Sequence, residues 1–249
     1  MIIIGDSLIE LKKIKSSSVD LIFSDPPYFL SNGGISCKNG KMVSVNKGHW
    51  DKSNGFKENV KFHRQWIKEC KRILKPNGTM AISGTYHSIY QCGYILQELG
   101  FSIINDISWF KPNGAPCLAC KNFTASHESI IWAKKNKEAK HTFNYNLMKN
   151  WDKSSDLLKN KGKQMRSVWS ISLTPSSEKK CGNHPTQKPI ELLKRIIACA
   201  SKEGDTILDP FMGSGTTGVV AKILKRNFIG IEKSQEYANL AKKRIGEIN

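Results

Sequence analysis

Acidic residues are scarce in this chain. Its 249 residues carry 21 Asp and Glu against 39 Lys and Arg, a net charge of +18 with a pI near 9.6. That imbalance favours a polyanionic partner, nucleic acid first among them. Long hydrophobic runs are also missing. None approaches the roughly 18 residues that a membrane span needs, so no membrane partner is expected. Met1-Ile2-Ile3-Ile4 runs at once into Gly5-Asp6, without the features of a secretory signal peptide. The seven cysteines are an odd number, and most are scattered (Cys37, Cys70, Cys92, Cys181, Cys199). Such usage speaks against a disulfide framework and for reduced thiols in a cytoplasm. Only Cys117 and Cys120 have metal-ligand spacing, and without a second such pair a structural zinc is not expected. No GxxxxGK[ST] occurs, so a triphosphate-cleaving P-loop is not expected either.

What the chain does contain is ordinary in bulk and specific in detail. Its hydrophobic share of 39% and charged share of 24% are those of a globular protein. Its length suits one large α/β domain or two small ones. The run Val19-Asp20-Leu21-Ile22-Phe23-Ser24 reads as a buried strand, and it ends in Asp25-Pro26-Pro27-Tyr28. Ligands of open α/β sheets bind at that end of a strand. The prolines stiffen the loop and remove two N–H donors. Asp25 and the Pro26 carbonyl are then acceptors beside the flat ring of Tyr28, a set suited to an exocyclic amino group on a planar base. The plainer alternative is a proline turn with a solvated carboxylate.

Periodicity places seven strands at 1–5, 19–24, 79–84, 101–110, 127–133, 206–209 and 227–232, with helices between them. Asp6 follows the first strand, where it can cap the next helix or serve a ligand. Residues 29–56, rich in Gly, Ser, Asn and Lys and without a period, read as a flexible flap leaving the Asp25 site. From Lys134 to Gly182 periodicity fades. Twelve Lys and Arg face four acids there, an excess of +8, with Phe143, Tyr145, Trp151 and Trp169 interleaved. Cations to neutralise phosphates and rings to stack on bases fit nucleic acid. A solvated insertion with its own small aromatic core is the alternative.

A second motif lies near the C-terminus. Thr206-Ile207-Leu208 leads into Asp209-Pro210-Phe211-Met212-Gly213-Ser214-Gly215-Thr216, then a helix, then a strand ending in Glu232. Strand, glycine turn, helix, strand and acid form a nucleotide-binding βαβ unit. Glu232 can accept both hydroxyls of a ribose. Asp209 at the entrance repels a pyrophosphate, so a cationic or zwitterionic nucleoside such as S-adenosylmethionine fits better.

Taken together, Asp25-Pro26-Pro27-Tyr28 and Asp209 to Gly215 resemble the motifs of the amino-methylating DNA methyltransferases. The order, catalytic motif first and cofactor motif last, resembles the permuted β class. His184-Pro185-Thr186-Gln187-Lys188-Pro189 resembles the family's segment before the cofactor strand, and Ile107 to Asn113 resembles a wall of the target-base pocket. Tyr28 to Gly34 is similar to the DpnA-type branch, which modifies adenine in GATC.

The resemblance implies a Rossmann-like methyltransferase fold with a seven-stranded, mostly parallel sheet containing one reversed strand. It implies a catalytic and cofactor domain over 1–113 and 184–249, and a target-recognition segment over 114–183. Asp25, Pro26, Pro27 and Tyr28 become the catalytic set. Asp6, Lys188, Asp209, Pro210, Phe211, Gly213, Ser214, Gly215, Thr216 and Glu232 become the S-adenosylmethionine site, with Asp6 at the adenine and Lys188 near the methionine end. The implied partners are DNA, double or single stranded, and a second copy of the chain as a homodimer, in a restriction-modification system. N4-cytosine methylation is the nearest competitor, and a nucleic-acid-binding module with an inactive cofactor site is another.

Overall fold

The computed structural model describes residues 1–31, 35–38, 41–44, 48, 51–118, 120–156 and 162–248. In chain order the elements are β1 (Ile2–Ile4), α1 (Ser7–Lys13), β2 (Val19–Ser24), β3 (Ile35–Lys38), β4 (Lys41–Ser44), α2 (Phe56–Ile73), β5 (Leu74–Gly84), α3 (Ile89–Glu98), β6 (Ser102–Phe110), β7 (His127–Lys134), α4 (Tyr145–Lys149), β8 (Val168–Ser170), α5 (Ile190–Ala200), β9 (Thr206–Asp209), α6 (Thr216–Ile223), β10 (Asn227–Glu232) and α7 (Gln235–Gly246).

The main sheet has the order β1-β10-β9-β2-β5-β7-β6-β8. Strand β7 is antiparallel to both β5 and β6, and every other pairing in this sheet is parallel. The expected single reversed strand is therefore present. Among the described residues the count is eight rather than seven. The extra strand, β8, pairs with β6 at the sheet edge through Ser108↔Val168 to Phe110↔Ser170. Three residues without alternation leave no periodic signal. Residues 29–56, expected to lack regular structure, hold a β3–β4 antiparallel hairpin. The expected flexibility of its tip falls on Asn39 and Gly40, outside the described residues.

The pleat explains why both faces are covered. Alternate residues of a strand point to opposite faces. Ile22, Met80 and Ile82 join Leu11, Trp66, Ile67, Cys70 and Ile95 in one apolar cluster, under α1, α2 and α3. Their neighbours Leu21, Phe23 and Ala81 join Leu192, Leu193, Ile196 and Val220 in the other, under α5 and α6. Helix α2 turns its buried residues His63, Trp66, Ile67, Cys70 and Ile73 inward at helical spacing. Two such layers on one mostly parallel sheet make a doubly wound α/β fold. Among the described residues no helix is long and apolar enough to cross a membrane.

Candidate functional site

Four adjacent parallel strands, β1, β10, β9 and β2, each end at an acid on the same edge of the sheet. Asp6 follows β1, Glu232 closes β10, Asp209 closes β9, and Asp25 follows β2. The register Leu21↔Ile207 and Ile22↔Leu208 brings Asp25 and Asp209 together across 184 positions of sequence. One pocket is lined by all four acids, together with Pro27, Phe62, His184, Lys188, Pro210, Phe211, Gly213, Ser214, Thr216 and Tyr237. Of the residues expected at the site, Pro26, Tyr28 and Gly215 do not line it.

The glycine turn is held by backbone geometry and by Glu232. Gly213 and Gly215 have φ of +52° and +76°, in the left-handed region that other residues adopt at a cost. A Cβ on Gly215 would stand 2.7 Å from the Ala241 Cβ, and one on Gly213 would stand 3.1 Å from the His184 ring. The Glu232 carboxylate accepts from Gly213 N at 2.8 Å and from Ser234 N at 2.8 Å. Each oxygen therefore keeps acceptor capacity for a ligand. Burial raises the Glu232 pKa, against those backbone hydrogen bonds.

Asp209 is the most perturbed acid of the four. It accepts from Thr217 Oγ1 at 2.5 Å and from Phe211 N at 3.0 Å. Burial nonetheless pushes its carboxyl up to about 7, and the nearby charges of Asp25 and Glu232 add to the rise. Asp6 caps α1 through Leu8 N at 2.9 Å and also lines the pocket. Burial opposes its charge, but the Lys233 ammonium at 2.9 Å and the cap bond leave its pKa lowered. His184 stands edge-on to Tyr237, and burial holds its pKa down at about 4, so the ring is neutral.

Around Asp25 the geometry adds partners that its local sequence does not announce. Lys188 Nζ donates to Asp25 Oδ2 at 2.5 Å and lies 3.8 Å from Glu128 Oε2. Tyr28 donates its hydroxyl proton to Asp25 Oδ1 at 2.5 Å, and Ser83 Oγ and Glu128 Oε2 stand 3.3 and 3.1 Å from the Tyr28 oxygen. Lys111 pairs with Glu128 at 3.2 Å. Burial raises the Asp25 pKa, with Lys188 pulling against it and Glu128 adding to it. Burial also opposes the charges of Lys188 and Glu128, but the opposite charges around each prevail. Lys188 is raised by Asp25 and Glu128, and Glu128 is lowered by Lys188 and Lys111. The Tyr28 phenol is pushed well above its ordinary value by burial and by the two carboxylates.

Glu128 was not among the residues singled out from sequence. It sits near the start of β7, and because β7 runs backwards, that start lies at the edge where the parallel strands end. A polar residue opening a strand that pairs antiparallel inside a parallel sheet is the signal. It becomes readable only once the direction of the strand is known. Tyr237 and Lys233 also line the pocket and were missed, because they follow the last strand outside any motif.

Comparison with known proteins adds a family match and close relatives. The model of the N6/N4 methylase family, described as DNA methylase, matches residues 19–243. The chain is 55% identical over 242 residues to the type II methyltransferase M2.DpnII of Streptococcus pneumoniae, covering 97% of this chain and 87% of that one. Among solved structures, the M1.HpyAVI–SAM complex is 32% identical with a TM-score of 0.68, covering 98% of this chain and 99% of that one. The cytosine-N4-specific PvuII DNA methyltransferase, 22% identical with a TM-score of 0.73, covers 100% of this chain and 86% of that one and shares the fold.

Proposed function

The chain belongs to the N6/N4 DNA methylase family, and from that premise we propose that it methylates adenine N6 in GATC within a restriction-modification system. The observation that carries the reading is the row of four acids on adjacent strands, with Asp25 at one end beside Tyr28 and the cofactor acids beside it. The donor set fits S-adenosylmethionine. Asp6 and Glu232 suit the hydroxyls and amine of a nucleoside. Phe62 and Phe211 supply apolar wall. Asp209, whose charge is disfavoured by its surroundings, gains from a cation close by. Bound S-adenosylmethionine supplies an electrophilic methyl on a sulfonium.

The chain's own groups do the rest. The amino nitrogen of adenine is a weak nucleophile because its lone pair is shared with the ring. Asp25 and the Pro26 carbonyl accept hydrogen bonds from that amino group and draw it towards a tetrahedral form. After transfer the nitrogen must lose a proton, and Asp25, with its raised pKa, is suited to hold it. Lys188 occupies Asp25 Oδ2 through its ammonium, so it acts at the catalytic carboxylate, not only at the methionine end expected from resemblance. The target base leaves the duplex to reach this edge, and Tyr28 is the surface it stacks on.

Residues 1–113 and 184–249 form the catalytic and cofactor unit in this reading, and 114–183 serves target recognition. Strands β7 and β8 of that segment belong to the main sheet, which leaves 114–126, 135–167 and 171–183 as the stretches outside it from which DNA contacts would come. The preference for GATC rests on the similarity of Tyr28 to Gly34 to the DpnA-type branch, and the relationship to M2.DpnII supports it. The test is labelled methyl transfer into GATC and GTAC oligonucleotides, single and double stranded, followed by mass spectrometry of the nucleosides. N6-methyladenine confined to GATC is expected. Equal incorporation into both sequences rejects the specificity, and N4-methylcytosine rejects the base.

A further inference from the structure

Asp51 sits at the far end of the segment that leaves the Asp25 loop, 20 to 23 residues beyond the backbone it contacts. It is nearly inaccessible, 2% exposed. Its Oδ1 accepts from Tyr28 N at 3.0 Å and Phe29 N at 2.8 Å, and its Oδ2 from Leu30 N at 3.2 Å and Ser31 Oγ at 2.8 Å. The Asp51 carbonyl accepts from Ser31 N at 3.1 Å, so the contact is doubled through the backbone. Three consecutive amides and a hydroxyl turned onto one carboxylate form an anion nest, here filled by the chain's own side chain.

The nest requires an uncommon backbone conformation. Phe29 has φ of +59°, in the left-handed region, where a residue with a bulky side chain is strained. Hydrogen bonds to a charged acceptor are stronger than neutral ones, and the bond from Phe29 N is the shortest of the three amide bonds. The twist also sends the Phe29 ring against Phe62 at 5.7 Å and His63 at 5.5 Å, and Phe62 in turn meets Phe211 at 5.9 Å. Tyr28 is thus fixed from both sides, its amide by Asp51 and its hydroxyl by Asp25.

We propose that Asp51 is a positioning residue for methyl transfer: its carboxylate locks the backbone of 28–31 so that Tyr28 and Asp25 are preset for the extruded base. The inference rests on the functional reading above. Asp51 does not line the cofactor pocket, so its removal should separate turnover from cofactor binding.

The test compares wild type with Asp51→Asn and Asp51→Ala. The amide of Asp51→Asn keeps one acceptor oxygen and presents an NH2 to the donors that Oδ2 now accepts, so it is the variant to use if Asp51→Ala does not fold. We expect kcat for transfer to DNA to fall about 100-fold in Asp51→Ala and about tenfold in Asp51→Asn, the scale of a roughly 1 Å misplacement. S-adenosylmethionine affinity should stay near the wild-type value, because Asp51 does not line the cofactor pocket. Hydrogen exchange of the peptide carrying Tyr28, Phe29 and Leu30 should accelerate in both variants, with the central strands unchanged. Unchanged exchange there overturns the locking role. Faster exchange with wild-type kcat overturns the link to transfer, as does a fall in cofactor affinity in step with kcat. If wild-type protein transfers no methyl to DNA, the functional reading fails, while the exchange arm still decides whether Asp51 holds the loop.

Discussion

Asp209→Asn offers a test in which the buried acid acts on stability and on binding in opposite directions. The side chain is 3% exposed, and burial raises its pKa from the ordinary 3.8 to about 7. An acid with a raised folded pKa favours the folded state in its protonated form. That contribution is fully present below about pH 3.8 and is lost as pH rises through about 7. At about 1.36 kcal/mol per pKa unit, raising pH from roughly 5.5 to 8.5 costs the wild type about 2 kcal/mol at this one site. For a chain of this size, that corresponds to a melting temperature lower by about 4–8 °C.

An asparagine amide can still accept from Phe211 N and can donate to Thr217 Oγ1, so it keeps the local pairing without the titration. Melting curves of wild type and Asp209→Asn across this pH range should therefore diverge towards high pH, with the variant more stable. Cofactor binding should move the other way. If only the charged carboxylate attracts the positively charged part of the cofactor, the competent fraction of wild type rises about tenfold between roughly pH 6 and 8, from simple titration about that pKa. The variant should show no such rise in isothermal titration with S-adenosylmethionine. Parallel melting curves for the two proteins would refute the burial of a titrating charge at Asp209. A pH-dependent affinity retained by Asp209→Asn would refute its role towards the cofactor.

Asp25→Ala should abolish transfer while cofactor affinity stays near wild type, and a variant that keeps more than a small fraction of turnover rules out the role given to Asp25. Gly213→Val should weaken cofactor binding itself, and transfer with it, because a branched side chain at φ +52° and 3.1 Å from the His184 ring fills the turn; unaltered affinity in a folded protein would displace the cofactor site. Neutralising Lys159, Lys161 and Lys163, the first two outside the described residues, should flatten the salt dependence of DNA binding by up to about 0.9 for each phosphate no longer neutralised. A slope equal to wild type would turn these lysines away from DNA.

Local chemistry made much of this protein legible in its sequence. Asp25-Pro26-Pro27-Tyr28 and the turn from Asp209 to Thr216 each lie within one strand–loop step, so neighbouring residues alone determine their character. The seven strands marked by periodicity all appear, because each carries its own run of apolar residues. Strand β8 escaped because three residues at a sheet edge are specified by their partner Trp109 and its neighbours, not by their own pattern. Pairing decided the remainder. Parallel alignment of β9 with β2 sets Asp209 beside Asp25. The reversal of β7 delivers Glu128 to the same edge. The approach to α5 carries Lys188 onto a carboxylate 163 positions away, and the return of the chain at Asp51 closes a nest around the loop after Tyr28. These contacts depend on which strands neighbour one another and in which direction they run, and sheet hydrogen bonding over long sequence distances sets both.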